Sequence, residues 1–190
     1  MSRLLQPIIQ VLFLILFFLL MAMGRIHLWM GLFVLGIIIA AWFSRIYCGW
    51  ICPINTAMTF ISWLKIKLHI KSFGKPAFLS KPWVKLIALA AFLAAFLVSI
   101  ISGARLPVLP VLFILGVITV LIFPADLWHR NLCPFGTILS LPARLSRYSV
   151  RINPAKCVNC GICYQVCTSR SVIRLDDSHH IIKSECLGCM

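Results

Sequence analysis

The sequence predicts a mainly α membrane protein: four transmembrane helices in two pseudo-repeated pairs, followed by a small α+β domain built on cysteines. Three observations predict it. The 190 residues are 62% hydrophobic with a mean hydropathy of +1.02, too apolar for an ordinary soluble domain. Residues 1–125 contain no Asp or Glu; the four acids are Asp126, Asp176, Asp177 and Glu185. Six of the nine cysteines fall between Cys157 and Cys189. The expected division is a membrane part over residues 1–148 and a cysteine domain over residues 149–190, incomplete at its C-terminal end.

Four apolar runs approach the ~20 residues that cross a bilayer core: Leu4 to Met23, Leu28 to Phe43 (extending through Ile46 and Tyr47), Trp83 to Ile101, and Leu106 to Phe123. Trp29, Trp42, Trp83 and Trp128 sit near run ends, where indole rings favour the interface. Arg3, the first apolar run and Ala22-Met23-Gly24 also fit a cleavable signal sequence, the alternative for that segment.

Charge sets the orientation. Gly24 to His27 and Ser102 to Arg105 are short and carry one arginine each. The long middle connection holds Arg45, Lys65, Lys67, Lys71, Lys75, Lys81 and Lys85, and the C-terminal third adds Arg130, Arg144, Arg147, Arg151 and Lys156. Lys and Arg excess marks the cytoplasmic side, so both basic segments and the cysteine domain are expected inside the inner (plasma) membrane. The net charge of +14 then reads as attraction to anionic lipid, with no nucleic-acid partner.

The two halves repeat. Ile46-Tyr47-Cys48-Gly49-Trp50-Ile51-Cys52-Pro53 follows the second run, and Leu127-Trp128-His129-Arg130-Asn131-Leu132-Cys133-Pro134 follows the fourth. A residue before proline leaves helical geometry, and proline suits the first turn of a new helix. Cys52 and Cys133 are therefore expected at helix N-caps, where free amides favour a thiolate. Cys48, Cys52, Cys133 and His129 are candidate redox groups or metal ligands, the alternatives being packing for the cysteines and a solvated surface position for His129. After Pro53, Ile54, Met58, Ile61, Leu64 and Leu68 fall on one helical face flanked by lysines, which predicts a helix lying on the membrane surface.

Cys157-Val-Asn-Cys160-Gly-Ile-Cys163-Tyr-Gln-Val-Cys167 has the C-x2-C-x2-C-x3-C spacing of iron–sulfur ligation. Zinc sites draw on separated pairs. One or two 4Fe–4S clusters are expected. With the crossing usual in two-cluster ferredoxins, Cys157, Cys160 and Cys163 serve one cluster, and Cys167 joins Cys186 and Cys189 at the other. Between the sets, Val172 to Leu175 and His180 to Lys183 read as a hairpin turning at Asp176-Asp177-Ser178-His179, with His179 and His180 on its surface.

Taken together, Cys48-Gly49-Trp50-Ile51-Cys52-Pro53, Asn131-Leu132-Cys133-Pro134-Phe135-Gly136 and the motif from Cys157 resemble the membrane-bound 4Fe–4S polyferredoxin family, which includes NapH, the C-terminal part of NosR and, more distantly, CcoG-like proteins. His129 replaces the first cysteine of the second turn, and Thr168 stands where proline usually follows the fourth cysteine. The run Cys186-Leu187-Gly188-Cys189-Met190 is half of an expected second set. The resemblance implies electron transfer between a quinol pool or soluble reductant and a respiratory reductase, as in a quinol dehydrogenase subunit. The alternative it implies is a maturation factor that reduces or delivers metal through the cysteine–proline thiols. Partners would be the bilayer, a redox protein and quinol. Apolar runs without a single acid do not suit an ion pump, and no hydrolytic catalytic set is present.

Overall fold

The computed structural model describes residues 2–70, 72–102, 107–174 and 179–189. Lys71, the connection from Gly103 to Leu106 and the hairpin turn at residues 175–178 lie outside the described residues. The chain forms two compact units, Met1–Cys52 with Ile138–Met190, and Pro53–Thr137.

In the first unit, α1 (Ser2–Ala22) and α2 (His27–Phe43) are apolar helices of 21 and 17 residues. Ser44 ends α2 in the left-handed region at φ 62°, and the chain folds back as α3 (Ile46–Trp50) against it. The second apolar run therefore does not continue through Ile46 and Tyr47. Tyr47 is buried, stacks edge-on to Phe33 and accepts a hydrogen bond from Trp29 Nε1 at 2.9 Å. Gly36 makes room for that ring: a Cβ there would sit 2.8 Å from Tyr47. Trp29 is thus a core residue and not an interface ring. On α1, Gln6 and Gln10 donate to the Gly49 carbonyl at 3.2 and 2.7 Å, satisfying a carbonyl that the short α3 leaves free.

The second unit repeats the aromatic ring set against a glycine. It contains α4 (Pro53–Lys67), α5 (Pro82–Ile101), α6 (Val108–Ile122), the single turn α7 (Ala125–Leu127) and a π-helical turn at Trp128–Leu132. Trp128 is buried beside Gly116, where a Cβ would lie 3.3 Å from the indole. It too is a core residue, whereas Trp42 and Trp83 are exposed as expected. Both turns close with a five-residue bond: Cys52 N to Tyr47 O, and Cys133 N to Trp128 O, each 2.9 Å. Helices then start at Pro53 and at Pro134 (α8, Pro134–Ala143), where the prolines placed them.

The inner face of α4 differs from expectation. Ile54, Met58 and Lys65 are buried, while Leu64 and Leu68 are exposed with Phe60, Trp63 and Ile66. Lys65 is no solvated flank. Its Nζ donates to Ser72 Oγ at 2.8 Å and to the Val120 and Leu121 carbonyls at 3.1 Å, capping the C-terminal end of α6 as a cation should.

Among the described residues, α1 and α5 alone reach the length and apolarity of a membrane span, as Leu5–Ala22 and Pro82–Ser99. At 17 and 15 residues, α2 and α6 are about 25 and 23 Å long, short of the ~30 Å hydrocarbon core. Only 6% and 11% of the two long windows are buried, so neither is the core helix of a soluble fold.

The C-terminal part of the first unit is small: α9 (Ile162–Val166) and the antiparallel strands β1 (Val172–Arg174) and β2 (His179–Ile181), paired Val172 to Ile181 and Arg174 to His179. His179 belongs to β2 and is buried with neither ring nitrogen hydrogen-bonded. It is not turn surface; strand alternation turns it inward and leaves His180 out.

Candidate iron–sulfur centre

The Cys157 loop is shaped by its backbone. Asn153 Oδ1 accepts from Ala155 N at 3.0 Å, Asn159 and Gly161 take positive φ, and Gly161 starts α9. Cys157 and Cys163 are half-buried and Cys160 exposed. Cys167 follows α9, with its Sγ 3.3 Å from Ser171 Oγ and 3.6 Å from Ser169 Oγ. Burial raises the Cys167 thiol, but the hydrogen bonds from Ser171 and Ser169 outweigh it and hold the thiol below its ordinary value.

Cys186 and Cys189 lie on a loop seated against α3. Ser44 Oγ donates to the Lys183 and Cys186 carbonyls at 2.8 and 3.1 Å, Arg45 Nη1 to Ser184 O at 3.3 Å, and Trp50 Nε1 to Gly188 O at 3.1 Å. Gly49 is the seat: a Cβ on it would fall 2.3 Å from Leu187 O. Tyr148 secures the same end of α2, stacking on Phe43 at 5.3 Å and donating its amide to Trp42 O at 2.8 Å.

Loss of solvation, then the charges of Cys186 and Cys167, push the Cys189 thiol up. A cationic iron core would relieve the repulsion felt at Cys189. The donor set fits a thiolate-bound cluster. Among the described residues, no three His, Cys, Asp or Glu side chains form a group for a single metal ion. A cubane sets a different requirement, because each thiolate goes to a separate iron.

All nine cysteines are free. Cys48, Cys52 and Cys133 are buried in the two cysteine–proline turns. Cys133 Sγ accepts from Gly136 N at 3.3 Å, an N-cap bond. His129 is buried in its π-helical turn, not solvated, because that turn packs against α5 and α6. An offset of 81 positions relates Cys52 to Cys133, Cys48 to His129 and Arg45 to Asp126. Asp126 is buried and ion-paired with Lys75. Arg45, Ser44, Ser169 and Ser171 carry no motif, and Gly49 stands in the first cysteine–proline motif with nothing to announce its seat for Leu187; the spacing of Gln6 and Gln10 in an apolar run is the one legible sign of a polar partner.

The 4Fe–4S binding domain family matches over residues 26–71 and 105–153, each stretch holding one cysteine–proline turn. A second 4Fe–4S binding domain family matches residues 150–169. This chain belongs to the 4Fe–4S polyferredoxin family. The polyferredoxin is 34% identical over 144 residues to the methylamine utilization ferredoxin-type protein MauN of Methylorubrum extorquens, covering 68% of this chain and 50% of the relative. It is 28% identical over 174 residues to the ferredoxin-type protein NapH of Haemophilus influenzae, covering 77% and 57%. It is 25% identical over 172 residues to the regulatory protein NosR of Pseudomonas aeruginosa, covering 78% and 23%. The chain spans about half the length of the first two. No solved structure matches it significantly. Its cofactor is of the 4Fe–4S type.

Proposed function

We propose that this polyferredoxin is an integral membrane electron carrier with four spans and a cytoplasmic cluster domain. It passes electrons between a quinol pool or soluble reductant and a respiratory reductase or another redox protein. The observation that carries the reading is the seating of the Cys186–Cys189 loop on α3, directly beyond the apolar helix α2. That contact brings cluster ligands to the end of a lipid-exposed helix. Cys157, Cys160 and Cys163 hold one cluster; Cys167, Cys186 and Cys189 hold the other. A bound cluster supplies one-electron storage. The chain fixes the thiolates, through Gly161 and α9 at one loop and through Ser44, Gly49 and Trp50 at the other. Hydrogen bonds from Ser171 and Ser169 hold the Cys167 thiol below its ordinary value, which favours ligation.

Short helices of 15–17 residues span by thinning the bilayer or by flanking residues snorkelling, at modest cost. The exposed Phe60, Trp63 and Leu64 of α4, with Lys67 over the Trp63 ring at 5.2 Å, suit a helix at the lipid interface. Burial of Cys48, Cys52 and Cys133 weighs against metal delivery by those thiols. Two measurements test the reading. A reporter fused after Arg105 is expected outside the cytoplasm, and cytoplasmic behaviour would overturn the topology. A short-chain quinol added anaerobically to membranes is expected to reduce a cluster; reduction by dithionite alone would remove quinol as donor.

A further inference from the structure

Arg45 is a buried charge without a matching anion among its contacts. It follows Ser44 where the chain reverses and is 2% exposed. Nη1 donates to the Ser184 carbonyl at 3.3 Å and the guanidinium faces the Cys48 thiol; Nε and Nη2 have no oxygen or nitrogen acceptor. A guanidinium stays protonated in any protein setting, and an unpaired buried charge is strongly destabilising. The repeat-related acid Asp126 sits against Lys75. The groups around Arg45 are the Cys48 sulfur, the Ser184 carbonyl and the adjoining loop that Ser44 holds at Lys183 and Cys186. Carbonyls bring only partial charge. A 4Fe–4S core on the three thiolates assigned here is still a net anion, and reduction adds one more negative charge.

We propose that Arg45 is the built-in counter-charge of the cluster held through Cys186 and Cys189, raising that cluster's reduction potential. The inference rests on the ligand assignment given under the proposed function. Local charge is one of the terms that set iron–sulfur potentials, and the buried guanidinium is held at Ser184 on the Cys186 loop. Cys186 is buried two residues beyond the Ser184 carbonyl that Arg45 holds. Arg45 is a positioning and charge-balancing residue; the electron does not pass through it.

The test is EPR-monitored potentiometry on anaerobically purified holoprotein, with Cys186→Ser identifying which signal belongs to which loop. Arg45→Gln is expected to lower the reduced-to-oxidised ratio of the Cys186 signal about tenfold at fixed ambient potential, ~59 mV for a one-electron couple. The other signal should not move, and Arg45→Lys, which keeps the charge, should stay near wild type. Should Arg45→Gln lose iron, Arg45→Lys decides: retained iron and potential uphold the charge, and equal loss means a merely structural arginine. If Cys186→Ser removes neither signal, the ligand assignment has failed. If it removes one and Arg45→Gln moves neither, the counter-charge alone has failed.

Discussion

Replacing Gly49 by alanine tests the contact on which the cluster domain is seated. The new methyl would lie 2.3 Å from the Leu187 carbonyl oxygen, a backbone atom, so the loop must retreat by about 1 Å to reach ordinary contact. The Trp50 to Gly188 bond at 3.1 Å and the Ser44 to Cys186 bond at 3.1 Å would then exceed hydrogen-bonding range. Overpacking costs ~1–3 kcal/mol and each lost bond ~1 kcal/mol. A loss on the order of 3 kcal/mol weakens docking by roughly a hundredfold. The assay is iron release to a chelator from anaerobic holoprotein. Gly49→Ala should lose one cluster's iron much faster than wild type. Gly31→Ala, also in the first unit but with nothing within 4 Å of its new Cβ, should match wild type. Equal release from Gly49→Ala and Gly31→Ala would refute the seating of the loop on α3.

Gln10→Leu leaves the Gly49 carbonyl with a weaker partner in Gln6; a fall of about 1–2 kcal/mol in unfolding free energy is expected, and unchanged thermal stability in detergent would contradict it. Lys65→Met removes three bonds from a buried ammonium and should cost about 2–3 kcal/mol, read in the same melt. In iron-stripped protein, Cys167, held below the ordinary thiol value, should alkylate at lower pH than Cys189, which is pushed above it. Thiolate fraction sets the rate, so peptide mass spectrometry across a pH series should separate the two, and coincident profiles would count against the Ser171 and Ser169 bonds.

The parts legible in the sequence were those set by local chemistry. Pro53 and Pro134 begin helices because ring geometry alone favours it, and the hairpin strands fall within two residues of their expected ends. The iron–sulfur spacing stood in one run of eleven residues. What escaped depends on distant neighbours. The reversal at Ser44 requires Gly36 to accept the Tyr47 ring, a pairing that hydropathy cannot express, and it draws Trp29 and, in the second half, Trp128 inward. Lys65 read as a solvated charge because nothing in α4 announces that α6 ends with carbonyls beside it. Arg45 was counted only toward orientation; its meaning lies in the loop some 140 residues later.

The most direct measurement is iron and labile-sulfide analysis with low-temperature EPR on dithionite-reduced membrane protein prepared without oxygen. Reduced-cubane signals that disappear on serine substitution at Cys157 or Cys186 are the predicted result. Colourless, iron-free protein after strictly anaerobic preparation would contradict it.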